Sequence, residues 1–254
     1  MNSGWIVPDW DAPANVRALT MTRAGGASTG VYAGLNLGDH VGDEPAAVAQ
    51  NRAFLRERLP AEPLWLKQVH GIAVACADAS TGIPEADAAV AREPGSVCAV
   101  LTADCLPVLL CDRQGTVVAA AHAGWRGLVG GVIEATVAEM RREPAELVAW
   151  LGPAIGPQAF EVGEEVRQVF LANDPGANSA FKLRLTPHAS PLAEQKWLAD
   201  IYQLARRRLA ALGVTRISGG EYCTFSDRER FFSYRRDGAT GRMATLIWLE
   251  NRRA

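Results

Sequence analysis

The sequence predicts an α/β or α+β chain, folded as one domain over residues 1–254 with a functional site at the ends of its strands. Three observations carry this. Strand-like apolar runs alternate with segments of helical periodicity. Several of the apolar runs end in Gly- or Pro-containing turns, where chemistry gathers in sheet proteins. The 254 residues are 48% hydrophobic, enough for a sizeable core, and no interdomain linker is visible.

In chain order, VRALTMT (16–22) reads as a first strand. Residues 23–43 are Gly-rich and irregular, and so long a connection is usually functional or mobile. Asp43 reads as the N-cap of a helix reaching about Leu59, with Val48, Leu55, Leu59 and Asn51 on one stripe. LWLKQVHG (64–71) reads as a strand ending in a turn. SVCAVLTADCLPVLLC (96–111) reads as two strands broken at Thr102–Cys105. GTVVAAAHAGWRG (115–127) is a buried strand running into a Gly-bounded loop, after which Val129, Val132, Ile133, Val137 and Met140 recur at helical spacing. LVAWLGPAIGP (147–157) is a strand with a Gly/Pro exit. Residues 173–191 read as a polar surface excursion. Leu198, Ile201, Ala205, Leu209 and Leu212 trace an amphipathic helix, and ATLIWL (244–249) is a closing strand.

The formal net charge is −2 and the pI about 6.1. The basic clusters at Arg206–Arg208, Arg235–Arg236 and Arg252–Arg253 are short, so no electrostatic case for nucleic acid arises. The first residues lack the pattern of a secretory signal, and no window is apolar enough to span a membrane. Five cysteines without a CxxC pair argue against a disulfide framework. A cytoplasmic protein acting on a small molecule is expected, as a monomer or small homo-oligomer.

Four histidines are present. His70 and His122 share a setting, the end of an apolar strand close before glycine, and Cys105 lies at a strand break. Two imidazoles and a thiolate suit zinc with a fourth position open to water. The spacings of 35 and 17 residues match no short ligand motif, so Cys105 stands between core filler, nucleophile and metal ligand. His188 reads as surface, and His40, in the Gly-rich loop, is ambiguous. Cys76, Cys98, Cys111 and Cys223 read as inert thiols. HAGWRGLVGG (122–131) offers a strand–turn–helix anion site at Gly124, with Arg126 as a fixed cation. Arg23, Asn36, Lys67, Gln68, Asp87, Asp104, Glu161, Tyr234, Arg235 and Arg242 are further polar groups near turns. On an extended strand Asp104 faces away from Cys105 and is free to hold a neighbouring loop. Tyr32, Trp125 and Phe160 are candidates for stacking on a base, although each also fits a core role.

LNLGDHVGD, LKQVHG, LTADCLPVLL, AAHAGWRGLVGGV, LGPAIGPQAFEVGEEV and FFSYRRDGATGRMATLIWL, in that order, resemble the YfiH-type family, also called the polyphenol oxidase or laccase-domain family. The resemblance spans about Thr20 to Leu249. It implies a layered sandwich around a mixed β-sheet, of the cysteine-hydrolase-like kind. It implies a metal site of His70, Cys105 and His122, with Arg126 beside it and Arg23, Asn36, Gln68 and Gly124 toward substrate. It also implies phosphorolysis of adenosine, inosine, guanosine and methylthioadenosine, together with adenosine deamination, on Zn2+ with Cu2+ possible. The bacterial branch is linked to removal of a wrongly incorporated amino acid from a peptidoglycan precursor. A metal-free cysteine hydrolase, with Cys105 attacking and His122 or His70 as base, uses the same residues. The family name itself meets an obstacle. A multicopper oxidase needs on the order of ten histidines, and this chain has four. A purely non-catalytic binding protein is the weakest reading, since it gives no reason for three donors at loop-facing strand ends.

Overall fold

The computed structural model describes residues 4–184 and 195–251. In chain order the elements are β1 (Val16–Thr20), α1 (Pro45–Arg56), β2 (Val74–Cys76), β3 (Ala88–Ala91), β4 (Val97–Thr102), β5 (Leu106–Asp112), β6 (Val118–Ala123), α2 (Trp125–Gly130), α3 (Val132–Met140), β7 (Leu147–Leu151), β8 (Glu161–Gly163), α4 (Glu164–Asn173), β9 (Phe181–Leu183), β10 (Lys196–Ala199), α5 (Ile201–Leu212), β11 (Arg216–Gly219), α6 (Tyr234–Asp237) and β12 (Met243–Leu249).

A six-stranded mixed sheet, ordered β11-β7-β5-β6-β3-β2, faces a three-stranded sheet ordered β1-β12-β4. β11 and β2 pair in parallel with their neighbours, and the other pairings are antiparallel. A small antiparallel sheet, β8-β10-β9, lies apart. Alternation along the strands sets the layers. Leu106, Val108 and Leu110 of β5 pack with Ile133, Val137 and Leu209 of α3 and α5. Leu109 and Cys111 point the other way, against Val100, Ile247 and Val16 of the smaller sheet. That sheet's outer face, through Val97, Ala99 and Leu246, packs on Leu55 of α1. The central strands are therefore buried on both faces, which is why they read as unbroken apolar runs.

The expected mixed α/β architecture is present, with local corrections. The N-cap of α1 is Glu44, with Pro45 at the first helical position. Asp43 instead accepts hydrogen bonds from Ser28 and Asn36 and pins the Gly-rich loop. Asn51, buried on the α1 stripe, donates to the Asn36 carbonyl and the Ser28 hydroxyl. Residues 64–71 form isolated bridges rather than a strand. Gln68 occupies the place of a strand partner, its amide donating to the Leu101 carbonyl at 2.8 Å and accepting the Leu101 N–H at 2.7 Å. The helix expected from Val129 to Met140 is two helices, broken where Gly131 turns left-handed at φ +103°. Leu198 belongs to β10, and α5 starts after Asp200, whose carboxylate caps the Gln203 N–H. The stretch from 174 to 184 is more than a surface excursion, because Ala177, Ala180 and Phe181 are buried. His188, Arg252 and Arg253 lie outside the described residues. All five cysteines are free thiols. Cys223 is not in a strand, and its Sγ accepts the Gly156 N–H at 3.2 Å. No described helix is long and apolar enough to cross a membrane.

Candidate metal centre and cleft

Sheet register brings the candidate donors together. Antiparallel pairing sets Leu106 opposite Ala123 and Pro107 opposite His122, so Cys105, just before β5, meets the end of β6. Pairing of β3 with β6 sets Ala88 opposite Ala121, so Asp87 lies beside His122, whose N–H donates to the Asp87 carbonyl at 2.7 Å. β2 runs parallel to β3, so the loop that leads into β2, carrying His70, enters at the same end. Residues 103–105 are also where the chain leaves the smaller sheet (β4) and joins the larger one (β5).

One donor atom each from His70, Cys105 and His122 lies within 4.8 Å of the others. Cys105 Sγ is 3.7 Å from His70 Nε2, and the two imidazoles meet edge to face with centroids 4.8 Å apart. His122 is buried, Cys105 half-buried and His70 exposed. Gly124 has room for no side chain. A Cβ there would stand 2.8 Å from His70 Cδ2 and 2.9 Å from Cys105 Sγ.

Asp87, fully buried, organises this cluster. Its Oδ1 accepts the His70 N–H at 2.9 Å and faces His122 Nδ1 at 2.8 Å. Its Oδ2 accepts the N–H groups of Gly71 at 2.6 Å and Val69 at 3.2 Å. Burial opposes the charged form of Asp87, but the His122 and backbone contacts outweigh it and hold its pKa below the usual carboxylate value. His70 and Asp104 adopt left-handed backbone at φ +61° and +98°. Such conformations cost about 1–3 kcal/mol each and collect at functional sites. Asp104 therefore does not face away from Cys105 by strand alternation. It does hold neighbouring loops, accepting the Thr224 hydroxyl at 2.6 Å and the Arg235 N–H at 2.7 Å.

Burial alone would raise the Cys105 pKa, yet the imidazoles of His122 and His70 overcome it and bring the thiol down to about 6. His122 would be pushed down by burial, but Cys105 and Asp87 raise it to about 9. Both shifts favour a thiolate–imidazolium pairing when no metal is bound. Cys98 and Cys111, buried between the sheets, are pushed up and remain inert.

The donor set fits a zinc-like ion. Bonds of about 2.0–2.3 Å to nitrogen and sulfur imply donor separations of roughly 3.5 Å; Cys105 and His70 stand 3.7 Å apart, and all three donor atoms fall within 4.8 Å of one another. His122 presents Nε2 because Nδ1 is turned to Asp87, the usual outer partner of a ligating histidine. The three donors line a cleft of about 570 Å3.

Cleft-lining residues include His40, Gln68, Trp125, Arg126, Phe160, Tyr234, Arg235 and Arg242 besides the donors. Three arginine–aromatic pairs form the wall: Arg126 over Trp125 at 4.4 Å, Arg235 over Phe160 at 5.7 Å, and Arg242 over Tyr234 at 5.9 Å. Among the described residues Asp104 is the sole carboxylate lining it, and both its oxygens are engaged. Arg126 and Gln68 line the cleft, and the Gln68 amide is committed to Leu101. Arg23 and Asn36 lie outside the lining. The Arg23 guanidinium donates to the Ala33 carbonyl and stacks on Phe232. Asn36 is fully buried, and its Oδ1 accepts the Arg242 N–H at 2.8 Å, so it reaches the cleft only through Arg242. Tyr32 also lies outside the lining and donates to the Val41 carbonyl. Asp87, Arg235 and Arg242 have no specific role in the sequence pattern alone. The run SYRRDGATGR carried the signal for the two arginines.

Residues 17–250 match the family described as multi-copper polyphenol oxidoreductase laccase. The chain belongs to this family, the YfiH type. It is 55% identical to a Pseudomonas aeruginosa protein named purine nucleoside phosphorylase PA4543, over 98% of this chain and all of that one. It is 54% identical to Escherichia coli purine nucleoside phosphorylase YfiH, over 96% and 98%. The crystal structure of Neisseria meningitidis protein NMB0706 superposes with a TM-score of 0.90 at 51% identity, covering 98% of this chain and all of that one.

Proposed function

We propose that this chain is a purine nucleoside phosphorylase, in a single catalytic domain, whose cleft binds a nucleoside and phosphate beside a zinc ion held by His70, Cys105 and His122. The observation that carries this reading is the joining of that donor set to a cleft that, among the described residues, holds three guanidiniums and no uncommitted carboxylate. The names of its relatives point the same way.

Phosphorolysis breaks the bond from ribose C1′ to the purine nitrogen and forms one from C1′ to a phosphate oxygen. The bonding pair leaves with the purine, which takes up a proton. Positive charge develops on the ribose, so a phosphate dianion must be held close to it. Arg126, Arg235 and Arg242 supply that hold, and planar guanidiniums bind phosphate in a bidentate manner. Trp125 and Phe160 offer flat faces for the base. A zinc ion held by His70, Cys105 and His122 would supply Lewis-acid and water-activating chemistry. The latter suits adenosine deamination, in which water replaces the 6-amino group. Copper at the same three donors would fit the polyphenol oxidoreductase description of the family without a multicopper centre.

A second reading has its own support. Cys105, His122 and Asp87 stand in line as thiol, imidazole and carboxylate, with the His122–Asp87 contact at 2.8 Å and the thiol brought down to about 6. That is the layout of a cysteine hydrolase able to trim a peptidoglycan precursor.

Metal-defined protein incubated with adenosine, with and without phosphate, and in parallel with a cell-wall precursor peptide, separates the two. Adenine and ribose 1-phosphate formed only with phosphate and lost on chelation support the first. Peptide cleavage by metal-free protein, with substrate captured on Cys105, replaces it with the second.

A further inference from the structure

We propose that Asp87 is the positioning residue that sets the spacing of the two histidine donors, so that the metal centre is pre-formed by one buried carboxylate. The inference rests on the reading of His70, Cys105 and His122 as a metal site and assigns the residue that holds it.

The geometry is specific. One oxygen, Asp87 Oδ1, contacts both histidine residues, the backbone N–H of His70 and the ring Nδ1 of His122. The other oxygen takes the N–H groups on either side of His70 in sequence, those of Val69 and Gly71. Three consecutive amides thus converge on one carboxylate, which wraps the loop around it. That wrapping accommodates His70 at φ +61°, a conformation unfavourable for a residue with a side chain. The same carboxylate turns the His122 ring so that Nε2 faces Cys105. Asp87 itself is fixed at the head of β3, and its carbonyl accepts the His122 N–H. The two imidazoles, far apart in sequence and on different elements, are therefore referred to a single point.

An asparagine cannot reproduce this arrangement. If its oxygen faces His70 and His122, its NH2 group confronts the Val69 and Gly71 donors. If it is flipped, the NH2 confronts His122 Nδ1–H and the His70 amide. The test is zinc affinity, measured by competition with a chromophoric chelator, for wild type, Asp87→Asn and Asp87→Glu, with thermal melts of the metal-free proteins. Asp112→Asn, which removes a buried carboxylate far from the centre, is the control for general destabilisation. Asp87→Asn is expected to weaken zinc by about 10–100-fold. Asp87→Glu should fall between the two, and Asp112→Asn should bind as wild type. If Asp87→Asn folds and binds zinc like wild type, or if Asp112→Asn weakens zinc as much, the positioning role is overturned. A wild type that binds no zinc overturns the underlying metal reading instead. Should Asp87→Asn not fold, Asp87→Glu decides: it must bind zinc more weakly than wild type, and wild-type affinity rules the proposal out.

Discussion

Two buried carboxylates lie at opposite ends of the six-stranded sheet, and they use the same device for different ends. Asp112, at the close of β5, accepts N–H bonds from Thr116 at 2.6 Å and Val117 at 3.1 Å, the Thr116 hydroxyl at 2.5 Å and Arg142 at 3.4 Å. Asp87, at the head of β3, gathers Val69, His70, Gly71 and His122. The first set of partners closes a hairpin and ends there. The second set includes an imidazole with a spare nitrogen and a loop that carries another imidazole. A buried carboxylate surrounded by donors is thus a structural device in itself. It contributes to a site only when its partners have a second valence directed at open space.

The contrast can be broken at either end. The largest expected effect is at the sulfur. Cys105→Ala should lose more than about 100-fold in phosphorolysis, beyond the range seen when only an outer partner is removed, with one zinc lost per chain and the melting temperature retained. A variant that keeps both metal and activity would dismiss Cys105 as a ligand. Gly124→Ala comes next. Its methyl group would press between His70 and Cys105, so activity and zinc affinity should fall together, at a stability cost of about 1–3 kcal/mol. Unchanged zinc affinity would show that the donors can spread freely.

At the other end, Asp112→Asn should lower stability by about 1–3 kcal/mol in denaturant titrations and leave kcat and zinc affinity unaltered. A loss of activity at equal folded fraction would erase the distinction between the two ends. Asp112 also predicts an acid limb. Burial would raise its pKa, yet Thr116, Val117 and Arg142 hold it below the ordinary value. Its stabilisation is present above the unfolded value of about 3.9 and is lost as pH falls through the lower folded value. Asp112→Asn should therefore flatten the stability profile in that acid range. The smallest effect is a rate profile. In chelator-stripped protein, iodoacetamide should alkylate Cys105 with an apparent pKa near 6, ahead of the buried Cys98 and Cys111. A midpoint near the ordinary thiol value would remove the imidazole pairing.

Much of this was legible in the residues themselves. The break at Thr102–Cys105 interrupts an apolar run, and the strand ending at His122 runs straight into glycine, so both showed in the pattern. Single donors at strand ends are visible, but their meeting depends on register, which the sequence does not display. The short strands β2, β8, β9, β10 and β11 have three or four residues each and too few alternations to register. Residues 64–71 imitate a strand because Gln68 supplies with its side chain the two bonds a strand would supply with its backbone. Asp87 looked like one more turn carboxylate, since its four partners lie 16 to 35 positions away. Arg23 and Asn36 sit in or beside the long Gly-rich loop, and the family resemblance placed them toward substrate. Their polar groups are instead committed largely to holding that loop and, for Asn36, to carrying Arg242.

The graded burial of the three donors bears on the order of events when an ion comes and goes. His122 is locked in the sheet and Cys105 is seated at the seam between sheets, whereas His70 rides on an exposed loop. A bound ion should therefore leave first from His70 and reach it last. Val69, His70 and Gly71 are all tied to Asp87, so a chelator's access rate should measure how often that carboxylate releases its loop.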